Sequence, residues 1–326
     1  KLVNEFQSGE FAAAGAFRLG EILFAEKFYE PATIQFELAA REAKEPGIRL
    51  ASTYFAARGL DAMKREDSAE ERYRSVLEQT VDNPYLENAA MALGALQLRR
   101  GKNEAALKTY EILSQIATAP DVSSSAALQA ARLAKESGAN AKAFSLFEVA
   151  AQKSADPKTK SEALVESLRL RYQAKDFEGA VKAATAAEAS MDPAARAEVV
   201  QILAASLRQT SRENEARQAY DRLLAEHAAS ATPEILYQRL LTLYALKDPT
   251  LPAEADKFLQ TSAEPKQKAA VSLLKAESLF QRNEYAAAAR AYEPILANTW
   301  LTKDQQTAAL YKFAWSLSSS GDFAGA

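Results

Sequence analysis

The sequence has no cysteine and a single histidine, His227. Without thiols there are no disulfides, no thiolate nucleophile and no Cys-ligated zinc. One histidine alone cannot build a histidine metal site. Glycine and proline are scarce, at 11 each in 326 residues, which argues against collagen-like or low-complexity chains. No apolar run approaches the ~18 residues of a membrane span. An excess of one charge is also lacking: 40 basic residues stand against 43 acidic ones, a net −3. Such a balance leaves no electrostatic footprint for nucleic acid. There is no G-x-x-x-x-G-K-S/T phosphate loop. Gly15 to Gly20 lies in a helical pattern with no strand before it, so it is not a dinucleotide loop. No nucleophile elbow accompanies His227, which reads as an ordinary helix C-terminal residue favoured there by the dipole. Carboxylate pairs such as Glu70-Glu71 are abundant, but acid–base work needs a walled cleft that drives two pKa values apart. No catalytic residue, cofactor or metal is expected.

What the chain has is alanine, in great number, with 48% hydrophobic and 25% charged residues overall. Alanine has the best helix propensity, and glycine and proline have the worst. The composition therefore predicts helices, and internal repetition decides how they are arranged. An alanine recurs early in every second predicted helix: Ala32, Ala69, Ala106, Ala143, Ala180, Ala216, Ala288 and Ala326. The first four steps are 37 residues, the next is 36 and the last is 38. The 72-residue gap from Ala216 to Ala288 holds one more unit, with Ala255 as its poor match.

Other positions keep this phase. Twelve residues before the marker comes a small residue: Gly20, Ala57, Gly94, Ala131, Ala204, Ala276 and Ala314, with Leu168 the exception. Four after it comes an aromatic: Phe36, Tyr73, Tyr110, Phe147, Tyr220 and Tyr292, with Ala184 the exception. Seven after it sits an apolar residue, so offsets four and seven share one helical face. Prolines 46, 84, 120, 157, 193, 233 and 265 mark the turns between units, because proline cannot continue a helix interior. Each unit is predicted to be two antiparallel helices joined by a short turn, as at Gly101-Lys102-Asn103, Gly138-Ala139-Asn140 and Gly321-Asp322-Phe323. The small residue is expected to face the marker alanine, with the aromatic filling space toward the next unit. One pair cannot bury its apolar face alone, so the units stack.

These residues resemble the tetratricopeptide repeat family: Leu93-Gly94, then Gly101, Ala106, Tyr110 and Pro120, with about eight and a half such units in phase. The period exceeds the family's usual 34, and the family's early Trp is missing from every unit. The resemblance implies an all-α, right-handed superhelical α-solenoid. The expected layout is repeats one to six over 1–232, a degenerate seventh over 233–265, and repeats eight and a truncated nine over 266–326. In unit seven Lys247-Asp248-Pro249-Thr250-Leu251-Pro252 replaces the short turn; it reads either as a tolerated insertion or as a bend. Pro294 is expected to kink the second helix of unit eight. The chain ends on the marker position of unit nine, so a longer polypeptide is expected. It opens at Lys1 with no leader pattern, as if any signal peptide had been removed or was never present.

In this family the first helices line a concave face, through positions two, five, nine and twelve. With the marker alanine as position twenty, the middle of that face carries Tyr54, Arg58, Met91, Leu98, Leu128, Arg132, Lys135, Arg169, Tyr172 and Arg208, with Arg99 adjacent to Leu98. Arginine pairs bidentately with carboxylates, and aromatics anchor interfaces. Two readings follow: a groove for a partner segment of acidic character, or a solvated face whose cations pair within their helices, Arg169 with Glu162 and Lys135 with Glu136. The family's clamp for a terminal carboxylate is not expected: the positions read as nine hold no Asn, and Asn88 alone falls in the set, at position two. The function expected is an interaction scaffold or adaptor for other proteins or peptides, without nucleic acid, with self-association through the solenoid ends a further possibility. The alternative is a docking or regulatory arm of a larger enzyme. The alanine-rich, cysteine-free composition resembles exported bacterial repeat proteins, which favours the periplasm over the cytoplasm.

Overall fold

The computed structural model describes residues 10–79, 83–261 and 263–321. Among these residues there are seventeen α-helices, three short 3-10 turns and no strand. The chain divides into two compact units, Lys1–Ser167 and Leu168–Ala326. The first holds α1 (Glu10–Ala25), α2 (Tyr29–Glu42), α3 (Pro46–Ala62), α4 (Glu66–Leu77), α5 (Leu86–Arg99), α6 (Asn103–Ile116), α7 (Pro120–Glu136) and α8 (Asn140–Lys153). Helix α9 (Pro157–Gln173) spans the division. The second holds α10 (Phe177–Ala187), α11 (Pro193–Gln209), α12 (Glu213–Glu226), α13 (Pro233–Ala245), α14 (Leu251–Leu259), α15 (Pro265–Gln281), α16 (Tyr285–Tyr292) and α17 (Lys303–Ser319). Within each unit every helix packs on the next in sequence. Odd-numbered helices are the first of each pair and even-numbered helices the second.

The sequence punctuates these helices in two ways. Prolines 46, 120, 157, 193, 233 and 265 do not so much close one pair as open the next, each being the first residue of an odd-numbered helix. At that position the missing N–H has no intrahelical partner to lose. Inside each pair the turn is made by one left-handed residue: Lys27, Lys64, Gly101, Gly138, Lys175, Ser211, Lys247, Asn283 and Gly321, with φ between 53° and 88°. The following N–H reaches back five residues, as in Lys102 to Gln97 O at 2.9 Å and Asp176 to Arg171 O at 2.9 Å. Six of the nine are not glycine, although a left-handed L-residue costs about 1–2 kcal/mol. Lys175→Gly is therefore expected to raise stability by roughly 0.5–1 kcal/mol, read from the urea midpoint.

The phase markers form the core. Ala32, Ala69, Ala106, Ala143, Ala180, Ala216 and Ala288 are fully buried. So is Ala255, which takes the marker's place in unit seven despite its poor sequence match. The marker at Ala326 lies outside the described residues, as do Asp322 and Phe323 of the last turn. The aromatics four residues on are buried in every unit that has one, and Ala184 is buried where the aromatic is missing. The small residue at minus twelve has a different neighbour from the one expected. A Cβ on Gly20 would stand 2.7 Å from the Phe36 ring, and one on Gly94 would stand 2.9 Å from that of Tyr110. At these positions the small residue makes room for the aromatic of its own pair, not for the marker alanine.

Two second helices depart from the rule. Helix α14 has 9 residues where α12 has 14. Its Pro252 lies in the first turn, and the buried Asp248 carboxylate accepts from Thr250 N at 2.9 Å and Thr250 Oγ1 at 2.6 Å. Pro294 does not kink α16: the helix ends at Tyr292 and a 3-10 turn, Glu293–Ile295, follows. A proline removes a donor and clashes with the preceding turn, so the helix stops instead of bending.

A close helix contact at the marker admits no extra carbon. Ala106→Leu and Ala143→Leu are each expected to destabilise by about 1–3 kcal/mol, against a few tenths for Ala105→Leu, whose side chain is only half-buried. Urea unfolding followed by CD decides this; equal losses at 105 and 106 would contradict the phase.

Candidate partner-binding face

The residues read as groove-lining all sit on odd-numbered helices, but burial separates them. Tyr54 and Leu128 are buried. Tyr54 stacks on Tyr85 at 4.9 Å and meets Phe55 edge-on at 5.3 Å, so it supports the face from beneath. Met91 is exposed, Leu98 and Tyr172 are half-buried, and Arg58, Arg99 and Arg169 are exposed. Tyr172 packs edge-to-face on Phe177 at 5.2 Å.

The cations are not an unbroken positive stripe. In the first unit Arg132 pairs with Glu162, and Lys135 with Glu166. Arg99 pairs backwards with Asp61 at 2.5 Å. In the second unit Arg169 pairs with Glu198 at 2.5 Å, and Arg208 donates to the Gln238 carbonyl. Gln238 in turn donates to Glu234 at 2.7 Å. Each rung joins one odd-numbered helix to the next. The within-helix partners expected from the sequence are thus replaced: Glu162 serves Arg132 rather than Arg169, and Lys135 uses Glu166 rather than Glu136. Side chains on adjacent stacked helices meet in register, which spacing along one helix cannot show. The acceptors Glu162 and Glu198 both stand at position two of their repeats, a recurrence that the sequence does contain. These pairs are half-exposed, so each contributes only about 0–1 kcal/mol.

Two depressions open among the pairs. One, of about 460 Å³, lies in the second unit between α9, α11 and α13 and is lined by Tyr172, Gln201, Ile202, Arg208, Glu234 and Leu241 among others. The other, of about 370 Å³, lies in the first unit and is lined by Phe24, Arg58, Asp61, Lys64, Tyr73 and Arg99 among others. Tyr220 borders the first and Tyr73 the second. Burial pushes both phenols well above the usual tyrosine range, with Asp61 adding to the shift at Tyr73. Both therefore stay protonated donors at neutral pH.

His227 is the C-cap residue of α12. Among the described residues no group of three or more His, Asp or Glu side chains is placed to hold a metal ion, and no helix is long and apolar enough to cross a membrane.

No protein-family model and no curated protein matches this chain. Among solved structures it is similar to a tetratricopeptide repeat protein from Parabacteroides merdae, with 16% identity, 81% of this chain and 98% of that chain covered, and a TM-score of 0.35. It is also similar to a signal-transduction ATPase with a tetratricopeptide repeat sensor from Pyrococcus horikoshii, with 14% identity, 89% and 50% covered, and a TM-score of 0.48. A third is the TPR2AB domain of yeast Sti1 in its complex with pHSP90, with 16% identity, 83% and 99% covered, and a TM-score of 0.37. With the marker alanine buried in every described unit, a left-handed turn in every pair, and the rings of Phe36 and Tyr110 against Gly20 and Gly94, the described chain has an all-α fold of repeated antiparallel helix pairs.

Proposed function

We propose that this chain is a protein-interaction scaffold that holds partner segments against the face formed by its odd-numbered helices. The observation that carries the reading is the make-up of that face. It combines the exposed apolar side chain of Met91 with charged rungs, and it opens into depressions of a size that accepts side chains. Sites for ligands combine an apolar lining with a few placed polar groups in this way. The even-numbered helices spend their marker and aromatic positions on packing within the stack. Cations already paired on the face still offer unused N–H donors, so a segment of acidic character fits it better than a basic one.

The test is Arg132→Glu with Arg169→Glu. The new carboxylates would face Glu162 and Glu198 and reverse the charge of two rungs. We expect the helical CD signal to persist, with a stability loss of less than about 1–2 kcal/mol because the pairs are solvated. Partners co-purifying with the wild-type chain are expected to be lost or strongly reduced. An unchanged partner set at unchanged expression would move the interaction surface to the even-numbered helices or to the ends of the stack.

A further inference from the structure

Position nine of the repeat holds a cation three times, in Arg58, Arg132 and Arg169. The latter two reach position two of the following repeat, 30 and 29 residues on, where Glu162 and Glu198 stand. The equivalent place after Arg58 is Asn88, which is neutral and exposed. The rung is missing there. Among the described residues no carboxylate lies within ion-pair distance of Arg58. The one carboxylate that shares its depression, Asp61, is committed to Arg99 at 2.5 Å.

Arg58 rests instead on a platform of rings. Its guanidinium carbon lies 5.0 Å from the Phe24 centroid, 5.6 Å from Phe55 and 5.9 Å from Tyr54. Such contacts hold a cation in place without neutralising it. Around it the 370 Å³ depression gathers Lys64, Arg99 and Tyr73, with Asp61 the one carboxylate. Lys64 is the left-handed residue of the turn, at φ 59°. Three cations against one anion leave this notch with two positive charges, and the protonated Tyr73 borders it.

We infer that the Arg58 notch is a subsite for the carboxylate side chain of a partner segment, which supplies the acidic rung that Asn88 does not. The inference rests on the scaffold reading and gives it a location and a chemistry. A planar guanidinium that is oriented but unpaired suits a carboxylate bidentately, and the ring platform accepts the apolar stem of the same Asp or Glu. Arg132 and Arg169 are each partly satisfied by one of the protein's own glutamates, whereas Arg58 has none, so acidic preference is strongest at Arg58.

The test is a random ten-residue peptide library displayed on phage with the peptides' C-termini fused, so that no free terminal carboxylate is present. It is panned against the full chain. We expect the selected peptides to share one Asp or Glu among apolar neighbours. A synthetic, amidated copy should bind about tenfold more weakly when that residue is changed to Gln, and more weakly as salt rises. Arg58→Gln should lose the same factor and become indifferent to the change in the peptide. Asn88→Glu should do likewise, because it restores the internal rung and captures Arg58. Lys108→Gln, on the exposed surface of α6, should bind as wild type. All three substitutions are at exposed positions, and CD checks that they fold. An acidic consensus insensitive to Arg58→Gln and Asn88→Glu, or peptides enriched without an acidic residue, would overturn the subsite and leave the scaffold reading standing. A library that enriches nothing would overturn both.

Discussion

Phe147→Ala is expected to lower stability by about 3–5 kcal/mol. Phe147 is fully buried in α8, four residues after the marker Ala143. Removing the ring forfeits its transfer from water and leaves a cavity that a stacked repeat cannot readily close. Each unit is held by its own pair and its immediate neighbours, so the loss should be felt locally before it is felt globally. Hydrogen exchange should show faster opening of α7 and α8 first. Ile112→Ala, on the exposed side of α6, serves as the comparison and should cost under about 0.5 kcal/mol. Urea unfolding that shifted the two variants equally would mean that the aromatic is not a core element.

Glu70→Ala should follow in size. The Glu70 carboxylate is buried in α4 and accepts from Arg74 at 2.5 Å, Arg100 at 2.6 Å, Lys102 at 2.8 Å and Gln97 at 3.4 Å. Gln97 accepts in turn from Thr109 at 2.8 Å, which ties α4, α5 and α6 together. Truncation leaves Gln97 short of a partner and Arg74 and Lys102 without their anion, while Arg100 keeps Asp67 and Glu66. A loss of about 2–3 kcal/mol is expected, as for hydrogen bonds to a charged, desolvated group. The pH dependence has a definite sign. Burial alone would raise this carboxyl. The hydrogen bonds from Lys102 and Gln97 and the charges of Arg74 and Lys102 outweigh burial and hold the group below the usual carboxylate range. A lowered folded-state pKa gives stability that is present above the unfolded carboxylate value, about 4.3, and is lost as pH falls through the folded value. Acid titration of the wild type should show this loss, and Glu70→Ala should flatten it. A variant with the same acid limb as wild type would remove Glu70 from the account.

Much of the fold can be read in the sequence because its strongest constraints are local and periodic. A buried alanine with an aromatic one turn later on the same face is a pattern that stacking imposes on every unit. The exceptions follow physical lines. Ala255 looks like a poor match because unit seven has a shortened second helix, yet its methyl occupies the same buried place. The left-handed turn residues were visible only where they are glycine; at Lys27, Lys64, Lys175 and Lys247 nothing in the residue type announces the conformation. The candidate residues all lie on odd-numbered helices. Which of them are surface was not legible, since Tyr54 and Leu128 sit where helix packing tilts them inward. The rungs escaped as well. Their partners lie about thirty residues away, and only the repeat phase, not spacing along a helix, brings Arg132 to Glu162 and Arg169 to Glu198. The same phase reveals Asn88 as the missing partner of Arg58.

The central claim is that partners are held on the odd-numbered helices, and site-specific photocrosslinking tests it most directly. A photoreactive phenylalanine analogue is placed in turn at Met91 and Gln201, both exposed on odd-numbered helices, and at Ile112 and Gln218, both exposed on even-numbered ones. After irradiation of the intact protein with its co-purified partners, adducts are expected from positions 91 and 201 and not from 112 and 218. Adducts confined to positions 112 and 218 would contradict the account and move the interaction to the even-numbered helices.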